Sequence, residues 1–148
     1  MSPTETPVVR PDVPAMTDLD AICFPPHVAY DAPYFLELVA TPGVWGLKLE
    51  DGAGLAGFIL WSRWPEKIGH VITVDVHPDR RRQGLGKLLM DRMEDDCRAA
   101  GSRRVILEVS VTNVAAVDFY RGLGYHVASF LPDYYGESQH AHFMMKLL

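Results

Sequence analysis

A basic turn with two glycines, set between an apolar strand and an amphipathic helix, constrains the fold of this sequence more than any other feature. The strand ends at Val76, and the turn that follows reads Arg80-Arg81-Arg82-Gln83-Gly84-Leu85-Gly86-Lys87. Apolar residues recur at spacings of three and four across 85–100, which predicts a helix that ends at Gly101. A strand that passes directly into a helix in this way indicates an α/β fold in which helices pack on a sheet.

The start of this helix has the properties of an anion-binding site. Unpaired N–H groups and a partial positive charge lie at a helix N-terminus, and glycines allow the backbone to approach an anion closely. The arginines and Lys87 can add charge-assisted contacts, so the turn can hold a pyrophosphate. The alternative is a solvated basic turn, which the glycines at the strand-to-helix junction disfavour. The turn lacks the third glycine of the dinucleotide fingerprint, and the sequence has no P-loop motif.

Hydrophobic periodicity and turn residues divide the rest of the chain into further strands and helices. Residues 1–7 are rich in Pro, Ser and Thr and are predicted to be a disordered tail, ahead of a single domain over 8–148. Strands 44–49, 54–61 and 70–76 are expected to be successive antiparallel neighbours. The predicted helices lie at 17–23, 32–40, 85–100 and 113–123, and the other predicted strands lie at 8–14, 105–111, 126–131 and 142–147.

The acidic balance of the chain argues against a nucleic-acid or membrane partner. Its formal net charge is −5, so its overall field does not attract nucleic acid or anionic lipid. No apolar run is long enough to span a bilayer, and residues 1–14 lack the pattern of a signal peptide. Cys23 and Cys97 are far apart and predict two ordinary buried thiols in a reducing compartment. These features predict a cytoplasmic protein. A monomer and a homodimer both stay open, because no feature of the sequence marks a dimer.

Glu108 is the first candidate for proton transfer because it interrupts an apolar strand, Ile106-Leu107-Glu108-Val109. A buried, unpaired carboxylate is costly, so Glu108 is expected either to emerge at a cleft or to have a partner. It can equally lie on an exposed strand face with Ile106 and Ser110. Tyr120 follows Asn113, the capping residue expected at the start of the next helix, and an aromatic at helical spacing more often belongs to the core.

The glycine turn resembles the Arg/Gln-x-x-Gly-x-Gly/Ala signature of the GNAT superfamily of acyl-CoA N-acyltransferases. The resemblance implies the GNAT fold, an α/β (α+β) fold with a single mixed, mostly antiparallel sheet of six to seven strands and about four helices on its two faces. It also implies acetyl-CoA as co-substrate and no metal. The family's strand-and-turn contacts then fall on Val74, Asp75 and Val76 for pantetheine, and on Arg81, Arg82, Gln83, Gly84, Leu85, Gly86 and Lys87 for pyrophosphate.

A second resemblance covers residues 107–125. Their Glu, Asn and Tyr have the separations found in the ribosomal-protein alanine N-acetyltransferases, within the protein N-terminal acetyltransferases. The resemblance implies that Glu108 is the general base, Tyr120 the general acid and Asn113 a cofactor contact. The chemistry suits these roles, since a free α-amine has a pKa of roughly 7.7 to 8 and a phenol of pKa about 10 can protonate a departing thiolate. A backbone N–H near Val76 is expected to stabilise the oxyanion.

The acceptor is predicted to be an amine, and specifically the α-amine of a protein or peptide N-terminus. Residues 132–141 resemble the segment with paired tyrosines that lines the peptide entrance of protein N-terminal acetyltransferases, which implies substrate contacts from Tyr134 and Tyr135. Phe24 and Tyr30 occupy the position of the opposite wall. Packing in a hairpin or in the core is the alternative for these aromatics. Ser110 stands where an Arg often follows the Glu-Val pair of the alanine N-acetyltransferases.

Other functions stay open from the sequence alone. A GNAT enzyme can act on a small-molecule amine or a lysine side chain, and an acyl-CoA-binding module can serve as a sensor without catalysis. The presence of both Glu108 and Tyr120 favours an enzyme over a sensor. A nucleic-acid binder built on the arginine run is disfavoured by the negative net charge.

Four histidines lie at or near predicted strand ends and are not predicted to bind a metal. His140 and His142 flank Ala141 on one strand face, but no third ligand is placed beside them. His70 and His77 are expected to be polar residues at strand ends.

Overall fold

The computed structural model describes residues 2–148, whose strands all belong to one sheet. The helices are α1 (Val13–Cys23), α2 (Ala32–Ala40), α3 (Leu85–Ala99) and α4 (Val114–Gly122). The strands are β1 (Thr4–Pro7), β2 (Val44–Asp51), β3 (Gly54–Trp64), β4 (Ile68–Val76), β5 (Arg104–Ser110), β6 (His126–Leu131) and β7 (Ala141–Leu147). Their order in the sheet is β1-β2-β3-β4-β5-β7-β6, with β4 and β5 parallel and the other neighbours antiparallel. The predicted fold class is confirmed.

The residues before α1 differ from the sequence prediction. Residues 4–7, expected in a disordered tail, form β1 and pair with β2; Met1 lies outside the described residues. Backbone hydrogen bonds hold an edge strand without a strongly apolar sequence, and such a strand tolerates proline. The strand predicted at 8–14 is also wrong, because a 3₁₀ helix occupies Arg10–Asp12 and α1 begins at Val13. Pro14 lies in the first turn of α1, where a missing N–H breaks no helical hydrogen bond.

Apolar side chains alternate between the two faces of β3, and helices cover both faces. Phe58 and Leu60 pack with α1 and α2, whereas Ile59 and Trp61 pack with α3 and α4. Each fully buried side chain of this size stabilises the fold by roughly 1.5–3 kcal/mol. The buried residues of α3 have the predicted spacing of three and four and include Leu85, Leu89, Met93 and Cys97.

The neighbouring strands β4 and β5 diverge beyond His70. Their parallel pairing runs only from Ile68↔Arg104 to His70↔Ile106. On its other side β4 carries a bulge at Ile72, where the register with β3 shifts by one residue. A cavity lies between the segments of β4 and β5 that follow, so the sheet itself positions the candidate site.

None of the helices within residues 2–148 is long and apolar enough to cross a membrane. Cys23 and Cys97 are free thiols, and burial is the main cause that raises the pKa of each to about 11. The sequence prediction of buried, unlinked thiols agrees with this, although Cys23 is only half-buried. The cytoplasmic location stays a prediction.

Candidate active site

The turn between β4 and α3 presents open backbone at the helix N-terminus. Arg82 and Gly84 both adopt left-handed conformations, with φ of 61° and 77°. A Cβ added to Gly84 meets nothing within 4 Å, whereas a Cβ on Gly86 comes within 3.0 Å of the Phe119 ring in α4. Gly84 therefore leaves room for an anion in front of α3, and Gly86 allows α3 and α4 to pack closely.

The three arginines of the turn have different environments. Arg80 forms an ion pair with Asp51 at 2.9 Å, and the Arg81 Nε donates to the Val76 carbonyl at 3.2 Å. Arg82 is exposed and forms no ion pair within the part of the chain that the structure describes. Arg82 is therefore the arginine best placed to bind an anion, whereas Arg80 and Arg81 hold the turn in shape.

The remaining predicted turn contacts lie on the first turn of α3 or just before it. Gln83 is exposed, and Leu85 is buried in the core, so only the backbone of Leu85 can face an anion. Lys87 pairs with Asp91 at 2.7 Å, and this partner raises the pKa of Lys87. Both side chains of that pair are exposed, so Lys87 can exchange Asp91 for a phosphate at little cost.

A cavity of about 310 Å³ lies between the diverging parts of β4 and β5. One wall comes from residues 71–74 and the facing wall from residues 107–110. Further walls come from the end of α1 with the loop that follows it, from α4 and from the β6–β7 connection. The predicted site residues that the cavity brings together are Phe24, Tyr30, Val74, Glu108, Asn113, Tyr120 and Tyr135.

The side chain of Asp75, a predicted pantetheine contact, does not reach the cavity. It is 1% exposed and accepts a hydrogen bond from the Thr73 hydroxyl at 2.7 Å. This carboxyl lies against Asp20 of α1, so the side chain of Asp75 is not placed to contact a ligand in the cavity. Val76 packs its side chain against the core beside α3 and is left with backbone contacts.

Asp75 and Asp20 of α1 form a buried carboxyl pair behind the cavity. The two side chains are in hydrogen-bonding contact, and burial, followed by the effect of Asp20, raises the pKa of Asp75 well above its usual value. One oxygen of each carboxyl has no donor among residues 2–148, and a proton on Asp75 that is donated to Asp20 would fill this gap. The other Asp20 oxygen accepts from the Tyr30 N–H at 2.7 Å, so the pair links β4 to the loop after α1.

Asp75→Asn is expected to stabilise the fold at pH 8 by roughly 1–3 kcal/mol and to flatten its pH dependence. The pKa of Asp75 is higher in the folded than in the unfolded chain, so stability falls as the pH rises above about 4. An amide can donate to Asp20 without the shared proton. Urea unfolding at pH 5 and pH 8 measures the effect, with Asp75→Ala as the control that loses the hydrogen bond. A pH slope equal to that of the wild type would contradict the shared proton.

Glu108 is held by two hydrogen-bond partners and is 14% exposed. Its carboxylate oxygens lie 2.8 and 3.1 Å from the His70 Nε2, and Oε1 accepts from the Tyr134 hydroxyl at 3.1 Å. Because an ionised carboxylate only accepts, the His70 Nε2 carries the proton in this contact. The sequence left two alternatives for Glu108, a partnered carboxylate at a cleft or a residue on an exposed strand face. The structure shows the first.

Glu108 also borders a second opening, which we call the apolar groove. Its volume is about 590 Å³, and its lining includes Arg104, Ile106, Glu108, Tyr134, Phe143 and Met145. The carboxylate of Glu108 thus stands where the apolar groove meets the cavity between β4 and β5.

His70 is a site residue that the sequence does not reveal. The sequence assigns it to a polar strand end, but it lies inside β4 and packs on Trp64 with ring centroids 4.7 Å apart. The parallel register sets His70 beside Ile106, two residues before Glu108. His70 is one of three polar residues in β4, with Thr73 and Asp75, so its own strand does not single it out. Only the pairing of β4 with β5 brings His70 to Glu108.

Tyr120 faces the cavity from α4. Its hydroxyl has no hydrogen-bond partner within residues 2–148, and burial, more than the nearby Asp75 and Tyr135, raises its pKa. The phenol therefore stays protonated and available as a donor. Asn113 caps α4 through its Oδ1, which accepts from the Ala116 N–H at 3.1 Å, as the sequence predicts for a capping residue.

The predicted aromatic residues stand on two sides of the site. Phe24 and Tyr30 line the cavity from the loop between α1 and α2, and Tyr135 lines it from the β6–β7 connection. Tyr134 packs edge to face on Tyr135, with ring centroids 4.9 Å apart, and lines the apolar groove beside Glu108. All four rings border space that a substrate can enter.

The described residues contain no group of three or more His, Cys, Asp or Glu side chains arranged to hold a metal ion. His140 instead accepts the Asp133 N–H at 2.9 Å and so stabilises the β6–β7 connection. His77 accepts the Asp79 N–H at the end of β4, which agrees with its predicted place at a strand end.

The sequence of this chain is similar to those of known acetyltransferases. The model of the family described as "Acetyltransferase (GNAT) family" matches residues 13–125. The uncharacterized N-acetyltransferase MJ1530 of Methanocaldococcus jannaschii is 32% identical over 137 residues, which cover 87% of this chain and 85% of that protein. The [ribosomal protein bS18]-alanine N-acetyltransferase of Escherichia coli strain K12 is 35% identical over 65 residues, so this likeness spans 44% of each chain.

Solved structures share the fold over the whole chain. Ard1 from Thermoplasma volcanium superposes with a TM-score of 0.90 at 23% identity, covering 100% of this chain and 99% of that one. The yncA protein of Salmonella typhimurium, solved with its cofactor acetyl-CoA, superposes with a TM-score of 0.80 at 21% identity and covers 100% and 95% of the two chains. The order of strands and helices around the cavity is therefore that of these proteins.

Proposed function

The chain belongs to the acetyltransferase (GNAT) family, and from this premise we propose that it transfers the acetyl group of acetyl-CoA to the α-amine of a protein or peptide N-terminus. An acetyl-CoA-dependent N-acetyltransferase activity follows from the family. The observation that carries the finer proposal is the place of Glu108, which stands between the cavity and the apolar groove. The name of the Escherichia coli relative, an alanine N-acetyltransferase acting on a ribosomal protein, supports the same acceptor class.

The residues on the cofactor side fit acetyl-CoA. The amides of residues 82–87 suit the pyrophosphate, as does Arg82, which has no ion-pair partner among residues 2–148; the open space at Gly84 leaves room for the anion. The end of β4 leads from that turn to Val74, which lines the cavity. When bound there, acetyl-CoA supplies the acetyl thioester on which the chemistry acts.

Glu108 and Tyr120 divide the proton transfers between them. In this proposal the Glu108 carboxylate accepts a proton from the acceptor ammonium, whose pKa of roughly 7.7 to 8 makes a strong base unnecessary. The Tyr120 hydroxyl, which no other group of the described chain binds, donates to the departing sulfur. The Cys23 thiol lines the same cavity, but burial raises its pKa to about 11 and leaves it protonated and a poor nucleophile. Transfer is therefore proposed to be direct: the free amine attacks the thioester carbon, and the C–N bond forms while the C–S bond breaks. CoA leaves as the thiol with the proton from Tyr120, and the second proton of the attacking nitrogen restores the Tyr120 hydroxyl.

Gly84→Val is expected to weaken CoA binding by roughly 10- to 100-fold, measured by calorimetric titration. A branched side chain disfavours the left-handed backbone and fills the space in front of α3. Gly43→Val is the matched control, because Gly43 has φ of 87° and open surroundings but lies in the connection between α2 and β2. Unchanged CoA affinity in Gly84→Val, or an equal loss in Gly43→Val, would contradict the assignment of the turn.

The acceptor class is tested by the rate of CoA thiol release with three acceptors. These are a lysine-free peptide with a free N-terminus, an N-terminally blocked peptide with one lysine, and a small primary amine. Turnover of the first alone is the expected result. A reaction confined to the lysine peptide or the small amine would remove the N-terminal assignment, and CoA binding without turnover of any acceptor would indicate a sensor.

A further inference from the structure

The face of β5 that carries Glu108 continues as an apolar strip and ends in a cation. The antiparallel pairing of β5 with β7 sets three side-chain pairs in a row along this face, because side chains alternate along each strand. The pairs are Glu108↔Phe143, Ile106↔Met145 and Arg104↔Leu147. The first two pairs and Arg104 form the floor of the apolar groove.

The apolar groove is open to solvent. Its lining residues all belong to strands or to the connections between strands, and α1 and α2 pack farther along the same face, on β3 and β4. Trp64 and Tyr134 stand on its sides and are 46% and 49% exposed. A face of this size lined by large apolar side chains indicates a place where another molecule binds.

The two ends of the apolar groove carry opposite charges. Glu108 marks the end that meets the cavity, and Arg104 lies at the other end, without an ion pair in the described part of the chain. Ile106 lies between them on the strand. Four residue steps along a strand separate the two charged residues by about 13 Å. A complementary molecule has a cation at one end, an apolar middle and an anion about this far away.

We infer that the apolar groove binds the first residues of a peptide acceptor, with the α-amine at Glu108 and an acidic side chain at Arg104. The inference rests on the proposed function and adds a sequence preference to it. An extended peptide advances about 3.3 Å per residue, which places the acidic residue at the third to fifth position. The residues between the amine and that acid are apolar and lie over Ile106 and Met145. A small amine would leave Arg104 and most of the apolar groove unused.

A glutamate scan of the peptide tests this preference. Lysine-free peptides begin with Ala and otherwise apolar residues, and one Glu is moved from the second to the sixth position. At saturating acetyl-CoA, KM is expected to be lowest with Glu at the third, fourth or fifth position, and roughly tenfold lower there than for a Gln counterpart.

Charge reversal at the far end of the apolar groove supplies the matched test. Arg104→Glu is expected to reverse the preference, so that Arg is favoured over Glu at the same peptide position. Arg103→Glu is the control, because Arg103 is exposed, neighbours Arg104 in sequence and does not line the apolar groove. That control should keep the preference of the wild type.

The outcomes separate this inference from the proposed function. Two results would contradict the inference while leaving the proposed function intact. In the first, peptides are acetylated but KM does not depend on the position of Glu; in the second, Arg104→Glu keeps the wild-type preference. If no peptide N-terminus is acetylated, both fall. A wild-type dimer in sedimentation velocity that Arg104→Glu dissociates would assign the apolar groove to a second copy of the chain and overturn the inference.

Discussion

Glu108→Gln is expected to lower kcat/KM for a peptide acceptor by roughly 10²- to 10⁴-fold while leaving the affinity for CoA unchanged. The amide keeps the size of the side chain and one oxygen that can accept from His70 and Tyr134, but it no longer takes up a proton from the ammonium. The loss should narrow as the pH rises above about 8, because the acceptor amine is then already free. Thiol-release kinetics across pH measure both effects.

Glu37→Gln is the control for this change, since Glu37 is an exposed residue of α2. It should retain full activity, and both variants should keep the unfolding temperature of the wild type. A Glu108→Gln variant with normal kcat/KM at pH 7 would remove Glu108 from the role of base. A loss of constant size at all pH values would assign Glu108 to binding and positioning instead.

Tyr120→Phe is expected to lower kcat by roughly 10²-fold or more without a change in CoA affinity. The variant loses only the hydroxyl, which faces the cavity and has no hydrogen-bond partner in the part of the chain that the structure describes. That hydroxyl is assigned the role of protonating the departing sulfur. The Tyr120→Phe change should therefore lower kcat less with an acetyl thioester of a more acidic thiol than with acetyl-CoA. Steady-state rates with the two thioesters measure the difference.

Tyr125→Phe is the control that distinguishes a catalytic role of the Tyr120 hydroxyl from a role in packing. Tyr125 is buried beside Tyr120, with ring centroids 6.0 Å apart, but its hydroxyl donates to Glu94 at 2.8 Å and does not line the cavity. That variant should lose about 1–2 kcal/mol of stability and keep the turnover of the folded protein. Normal turnover in Tyr120→Phe, or an equal loss in Tyr125→Phe, would contradict the role of Tyr120 as acid.

Local patterns were enough to predict the elements around the glycine turn. The spacing of Leu85, Leu89 and Met93 identifies α3 because only a helix places such residues on one face. Helical geometry also explains why Asn113 and Tyr120 lie near the same cavity. Asn113 caps α4, and seven residues are about two helical turns, so Tyr120 lies below the cap and faces the same cavity. Motif and geometry agree here because both depend on contacts that are short-range in sequence.

Contacts between distant segments could not be predicted in the same way. His70 and Glu108 are 38 residues apart and meet only because β4 pairs in parallel with β5. Thr4–Pro7 form a strand because β2 offers an unpaired edge, which nothing in their own composition indicates. Asp75 and Asp20 likewise meet only because α1 packs on β4.

The role of the basic turn shows the same limit within one motif. The sequence counts Arg80, Arg81 and Arg82 together as anion contacts, but the first two bind Asp51 and the Val76 carbonyl. The partner of Arg80 lies at the end of β2, a strand that meets the turn only in the folded sheet. Composition therefore predicts that the turn is positively charged, whereas only the fold shows which arginine is free to bind an anion.

A crystal structure with a conjugate that joins CoA to the α-amine of a peptide tests the central claim most directly. The expected complex has the pyrophosphate on the amides of residues 82–87, the joining carbon between β4 and β5, and the former amine within hydrogen-bond reach of Glu108 and next to the Tyr120 hydroxyl. A joining carbon outside that cavity, or a peptide amine that lies away from Glu108, would contradict the account.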